Sequence, residues 1–201
     1  PERSSSSAEM FPRTFHENPP GPEDLATHLL VVYNSNDPDS EDLAKYYAAQ
    51  REIPPERVLA ISSPVTEEIT RAQFDDTIRV PIVSYLIQKG WLERQNEAVR
   101  VGNRYLDLLV ATHNDIWAIV LMRGVPLKIA PDPSQEVGME QQSELQSNAA
   151  AVDSELALLP IFGLPKGGYV PSIFFDNQVG GIKRVGPESA KNLILVTRLD
   201  G

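Results

Sequence analysis

The chain has no cysteine among its 201 residues. That removes disulfides, thiolate metal sites and a cysteine nucleophile from its chemistry. Long apolar runs are missing as well, since nothing approaches the roughly 18 residues a membrane span requires. Positive charge is scarce: 18 Lys and Arg face 28 Asp and Glu, for a formal charge of -10. A chain so short of cations is not expected to bind nucleic acid nonspecifically, because such binding replaces counterions along the phosphates. Docking on anionic lipid is disfavoured for the same reason. Nucleotide-cradling glycine motifs are absent too, with no GxGxxG after the first predicted strand and no GxxxxGK[ST]. There is no GxSxG nucleophile elbow. No motif points to a particular cofactor.

What remains is a chain with 41% hydrophobic residues, enough for one sizeable domain. Residues 1–24 are rich in Ser, Pro and charge and read as a flexible tail, which leaves 25–201 as a single domain. "HLLVVYN" at 28–34 predicts a first strand. The turn formers after it lead into a helix, with Asp39 or Ser40 as cap and Glu41 and Asp42 in the first turn. Leu43, Tyr46 and Tyr47 follow helical spacing, and "IPP" at 53–55 ends the helix. "RVLAI" at 57–61 completes a β-α-β unit with a parallel neighbour.

Thr70 and Gln73 form a capping box for a second helix, whose apolar face includes Phe74, Ile78, Ile82 and Leu86. Pro81 within that pattern predicts a kink or break. "ERQNEAVRVGNR" reads as a polar connection, and the residues after it either as a strand, a turn and another strand or, the preferred reading, as a short helix leading into a strand at 117–122. "VPLKIA" reads as a small edge strand and "PDPSQEVGMEQQSELQSN" as an acidic surface flap. A helix at 149–159 and strands at 172–176 and 193–199 complete the chain. This alternation predicts an α/β fold: a mostly parallel sheet flanked by helices in three layers, flavodoxin- or caspase-like in form.

In open α/β sheets, ligands sit beyond the carboxyl ends of the strands. The residues following the predicted strands are Asn34, Ser35, Asn36 and Asp37, then Ser62 and Ser63, then Arg123, then Asp176 and Asn177, and finally Arg198 and Asp200. Asp153 and Glu155 lie on the helix after the flap. Arginine at two strand ends suits bidentate recognition of a carboxylate or phosphate. An enzyme reading, of hydrolase type, makes Asp37 or Asp153 the acid, base or magnesium-type oxygen ligand and Arg123 an electrophilic clamp. Asn34, Asn36, Asp176, Arg198 and Asp200 would then hold a small molecule or peptide. A different class, a binding or assembly module without catalysis, fits the same residues. Plainer roles stay open beside both: Asn36, Asp37 and Asp39 as turn and cap, and the arginines as ion pairs with Asp153, Asp176 or Asp200. His113 has no second ligand at suitable spacing, so no metal site is predicted there.

"VVYNSNDPDSEDLAKYYAAQREIPPERVLAI", "IVLMRGVPLKI", "AAVDSELALL" and "LILVTRLDG" together resemble an uncharacterised bacterial family found mainly in genomes that carry the exosortase/PEP-CTERM sorting system. The similarity spans roughly residues 28–201, in the same order. It implies an exported or envelope-linked protein with no established reaction, of which this chain is an N-terminal portion. It also places Asn34, Asn36, Asp37, Arg123, Gly124, Asp153, Glu155, Arg198 and Asp200 in the family's blocks. The residues 93–115 and the acidic flap depart from the family by their bulk. Strand order and "MRG" are also faintly similar to caspase-like peptidases. Those carry His-Gly where Arg123-Gly124 stands, and a Cys that this chain lacks.

Overall fold

The computed structural model of the chain describes residues 22–101, 104–134, 148–164, 175–176, 181–182 and 193–200. A short helix α1 (Pro22–Thr27) precedes strand β1 (Leu29–Asn34), helix α2 (Pro38–Gln50) and strand β2 (Val58–Ile61). Strand β3 (Glu68–Ile69), helix α3 (Arg71–Phe74) and helix α4 (Val80–Gln88) follow. Next come the long strands β4 (Leu92–Val101) and β5 (Arg104–Asn114), then β6 (Ala118–Met122), β7 (Lys128–Ile129) and β8 (Ala150–Ala151). Helix α5 (Val152–Ala157) and strands β9 (Ile161–Phe162), β10 (Phe175–Asp176), β11 (Gly181–Ile182) and β12 (Leu195–Leu199) complete the described elements.

The expected α/β character is present. Four strands form a parallel sheet in the order β12-β6-β1-β2. Residues of β1 and β6 alternate between two apolar clusters, as a strand buried on both faces requires. Leu30, Val32, Ile119 and Leu121 pack with Phe74, Ile78, Ile82 and Leu86 from α3, α4 and the turn between them. Leu29, Val31, Ala118 and Val120 pack with Ala44 and Ala48 of α2. Each fully buried Leu or Ile contributes about 2 kcal/mol through the water it leaves.

Some local expectations hold and others are corrected. Thr70 and Gln73 do form the capping box. Pro81 does disturb its helix: Asp75–Arg79 is a π-turn, the widening expected where a proline ring meets the preceding turn's carbonyl. Helix α2 is capped by Asp37 rather than by Asp39 or Ser40, with the Asp37 carboxylate accepting from the Asp39 amide. Its buried face is Ser40, Ala44 and Ala48, while Tyr46 is exposed. Small residues at that spacing let the helix approach the sheet closely.

Most of the supposed polar connection at 93–104 is strand: β4 and β5 form an antiparallel hairpin paired from Leu92↔Asn114 out to Val101↔Arg104, and of the two readings of 105–122 the strand, turn and strand is the one that forms. The expected strand at 172–176 is described at Phe175–Asp176, which pairs antiparallel with β11 and does not join the parallel sheet. Residues 135–147, most of the predicted flap, lie outside the described residues. At its base the Asn148 side chain donates to Asp132 O and accepts from Asp132 N, and the Arg71 guanidinium donates to Asn148 O.

The amino edge of the parallel sheet is closed by a charged cluster. Arg57, just before β2, places Nη2 2.6 Å from Asp115 Oδ2 and lies with its guanidinium 3.7 Å from the Trp91 ring centroid. Among the described residues its Nη1 has no hydrogen-bond partner, so the aromatic face is its main compensation. His28, just before β1, directs Nδ1 at Asp115 and stacks on Trp117 at 3.9 Å. Asp115→Ala strands a nearly buried guanidinium and should cost about 3 kcal/mol by urea denaturation. Lys128→Ala, which breaks a fully exposed pair with Glu67, should leave the midpoint unmoved.

Candidate functional site

The four parallel strands run in the chain-order pattern 2-1-3-4, so the direction of winding reverses between β1 and β6. In such sheets the crevice at the carboxyl ends of those two strands is the usual ligand position. Here β1 ends in Asn34 and β6 runs into Arg123-Gly124.

Asn34 is fully buried. Its Nδ2 donates to Gly124 O at 2.7 Å and to Ser63 O at 3.1 Å, with Pro64 O at 3.5 Å. Its Oδ1 accepts from the amides of Ser63 at 3.1 Å and Asn36 at 3.2 Å. The Ser40 hydroxyl, also buried, accepts from Asn34 N and donates to Arg123 O. The ends of β1, β2 and β6 are thereby tied to one another and to the first turn of α2.

Gly124 has φ +82, and a Cβ there would come within 2.4 Å of Asp37 Oδ2. Its lack of a side chain therefore lets the β6 turn pass against the cap of α2. Beside it Arg123 sets Nε 3.7 Å from Asp37 Oδ2 and Nη1 3.2 Å from Asp39 Oδ2. The Arg123 side chain is 49% exposed, and Asp39 is 68% exposed.

Arg198 has the opposite fate. Its backbone sits in register with Leu121 of the adjacent strand, yet its side chain is only 11% exposed. Nε donates to Asp153 Oδ1 at 2.7 Å, while Nη1 and Nη2 donate to the carbonyls of Val125 and Pro126. Asp200 is 3.9 Å away and half exposed. Glu155, two residues after Asp153 on α5, pairs with the buried Arg71 at 2.7 Å. The structure thus gathers Asn34, Asn36, Asp37, Arg123, Asp153, Arg198 and Asp200 near one edge, while separating sealed from accessible groups. Asp176 belongs to the β10–β11 hairpin, not to a strand end of this sheet, because that segment pairs with β11. Asn177 lies outside the described residues.

Sequence reasoning missed the rim's apolar members. Val65 and Leu127 are exposed on the loops after β2 and β6, next to the Glu67–Lys128 pair. That hydrogen-bonded pair lowers the pKa of Glu67 and raises that of Lys128. Ser40 and Arg71 were also missed as anchors. Only the serine carried a signal, and it pointed to capping. Among the described residues no group of three His, Asp or Glu side chains is placed to hold a metal ion, and Asp153 already spends one carboxylate oxygen on Arg198.

Comparison of the chain with protein-family models, curated proteins and solved structures returns no match.

The two arginines should separate cleanly in chemical denaturation. Arg198→Ala leaves Asp153 and two carbonyls unpartnered and should cost about 3 kcal/mol. Arg123→Ala removes a half-exposed pair and should cost less than about 1 kcal/mol. Equal losses would contradict the division into sealed and accessible groups. Gly124→Ala forces an L residue into the left-handed region against the Asp37 carboxylate and should cost about 3 kcal/mol. A neutral result there would contradict the close approach.

Proposed function

We propose that the chain is a non-catalytic binding module that takes a basic peptide segment at the carboxyl edge of its parallel sheet. The observation that carries this reading is the commitment of the groups a reaction would need. Asp37 caps α2, Asp153 holds Arg198, and Asn34 is saturated by backbone groups. What the edge offers to a partner is recognition chemistry: Asp39, Asp200, Asn36 and Arg123 at the strand ends, with Val65 and Leu127 exposed on the loops after β2 and β6.

Acid outweighs base along this rim. Asp37, Asp39, Glu67, Asp153 and Asp200 face Arg123, Lys128 and Arg198, on a chain of formal charge -10. A cationic segment is therefore steered to it and an anionic one repelled. The exposed Val and Leu supply apolar contact beside the charges. Its position at the point where strand order reverses supports the flavodoxin-like, three-layer form of the fold, as do the apolar clusters on opposite sets of strand residues. The exported, envelope-linked setting comes with this reading from the resemblance to the exosortase-associated family.

Titration calorimetry with Lys- and Arg-bearing peptides against acidic ones of equal length tests the proposal. Basic peptides should bind saturably and weaken as salt rises. Asp39→Ala should weaken them about tenfold without lowering Tm. Preference for acidic peptides would overturn the reading, as would peptide hydrolysis that disappears in a folded Asp153→Asn variant.

A further inference from the structure

Arg123 is held more loosely than the arginines that close other parts of the fold. Arg57, Arg71, Arg79 and Arg198 each bring a guanidinium nitrogen within 2.7 Å of a carboxylate oxygen, and none of the four side chains is more than 16% exposed. Arg123 comes no closer than 3.2 Å to Asp39 and 3.7 Å to Asp37, with half of its side chain in water. An ion pair of that length and exposure binds its partners weakly. The backbone at this point is fixed: the Arg123 amide donates to Leu199 O, and its carbonyl accepts from the Ser40 hydroxyl. Movement is therefore confined to the side-chain torsions.

The two carboxylates it touches stand at the start of α2. Asp37 Oδ1 accepts from the Asp39 amide, while Oδ2 is the oxygen nearest Arg123. Around them the helix end itself contributes a positive charge of roughly 0.5. With Arg123 in place, the local balance of two carboxylates, one guanidinium and the helix end is about -0.5, and it becomes about -1.5 once Arg123 turns away. The attraction felt by an incoming cation thus depends mainly on where this one side chain lies. Arg123 also shows what shape of cation fits. Nε lies toward Asp37 and Nη1 toward Asp39, so a planar guanidinium spans both carboxylates. A lysine ammonium is a point charge without that span.

We infer that the Asp37–Asp39 pair is the subsite for an arginine side chain of the bound peptide, and that Arg123 is its internal occupant, displaced when the ligand's guanidinium takes its place. This rests on the reading of the carboxyl edge as a site for basic peptides, and it deepens that reading: the site selects arginine, and Arg123 sets the affinity by competition. Binding exchanges one guanidinium for another at the same two carboxylates. The wild-type chain therefore gains only the difference between the two contacts, and removal of Arg123 strengthens binding.

Titration calorimetry of the whole chain with a capped peptide carrying one arginine among glycines, and with its lysine counterpart, tests the assignment. Arg123→Ala should bind the arginine peptide about tenfold more tightly than the wild type does. A residue that contacts the ligand, or that merely holds the edge together, would give a loss instead. Adding Asp39→Ala to Arg123→Ala should cancel the gain. Lys89→Ala, which removes the same charge at the end of α4, should leave the affinity unchanged. The arginine peptide should bind Arg123→Ala about tenfold more tightly than the lysine peptide does, with circular dichroism and Tm confirming that each variant is folded. Unchanged or weaker binding by Arg123→Ala overturns the inference while the basic-peptide reading stands. So does an equal gain in Lys89→Ala, or lysine bound as tightly as arginine. An arginine peptide that binds neither the wild type nor Arg123→Ala overturns that reading and the inference with it.

Discussion

The carboxyl edge of this sheet depends on one buried amide. Asn34 is the last residue of β1, and its side chain is the point where three chain segments meet. An amide is suited to that place because it offers donors and an acceptor without charge. Its nitrogen takes the carbonyls of Ser63 and Gly124, which follow β2 and β6, and its oxygen takes the amides of Ser63 and Asn36. A carboxylate would turn acceptors toward carbonyls, and an alkyl group would leave each of these backbone groups unpaired in a dry interior. With Asn34 in place, Gly124 passes against Asp37, Ser40 reaches Arg123 O, and the Arg123 guanidinium emerges between Asp37 and Asp39. The accessible part of the edge is thus a consequence of the inaccessible part.

Both ends of the parallel sheet are closed by polar groups, in different ways. At the amino edge, Arg57, Asp115 and His28 form a cluster flanked by the Trp91 and Trp117 rings, with its charge largely withdrawn from solvent. At the carboxyl edge the closure is mostly backbone to amide, and charge is left at the rim. Arg198 shows that burial of an arginine at this edge requires a full set of partners: Asp153 and two carbonyls. Among the described residues Arg123 has no such carbonyl pair, and it remains half in water. That contrast gives the edge a fixed interior and an outer surface available for recognition.

The parts of the fold legible in the sequence are those where local pattern and tertiary setting agree. β1, β6 and β12 read as strands because apolar runs with abrupt polar ends fit a sheet buried between helices, and Thr70 with Gln73 marked a helix start. The first strand of the hairpin was illegible for a physical reason. Gln95, Glu97 and Asn96, Ala98 lie on opposite faces that are both wet, so β4 has no alternation to detect. In β5 the run Leu108, Leu109, Val110, Ala111 packs at the ribbon's base and imitates a short helix. Two-residue strands such as β3 and β8 leave too little pattern of any kind, while β7 lies within "VPLKIA", read as an edge strand but placed between β3 and β8. At the carboxyl edge the sequence could not distinguish Arg123 from Arg198, since both follow an apolar run. The difference lies in Asp153 and the carbonyls of Val125 and Pro126, brought there by segments distant in sequence from Arg198.

Replacing the Asn34 amide by a carboxylate of the same shape tests the organising role of this residue most directly. Urea unfolding of Asn34→Asp, followed with amide hydrogen exchange at Asn36, Ser63 and Gly124, reads both stability and local opening. A stability loss of about 3 kcal/mol or more, with faster exchange in the loops after β1, β2 and β6, is the predicted result. A loss below about 1 kcal/mol with exchange unchanged in those loops would contradict the claim that Asn34 holds the carboxyl edge together.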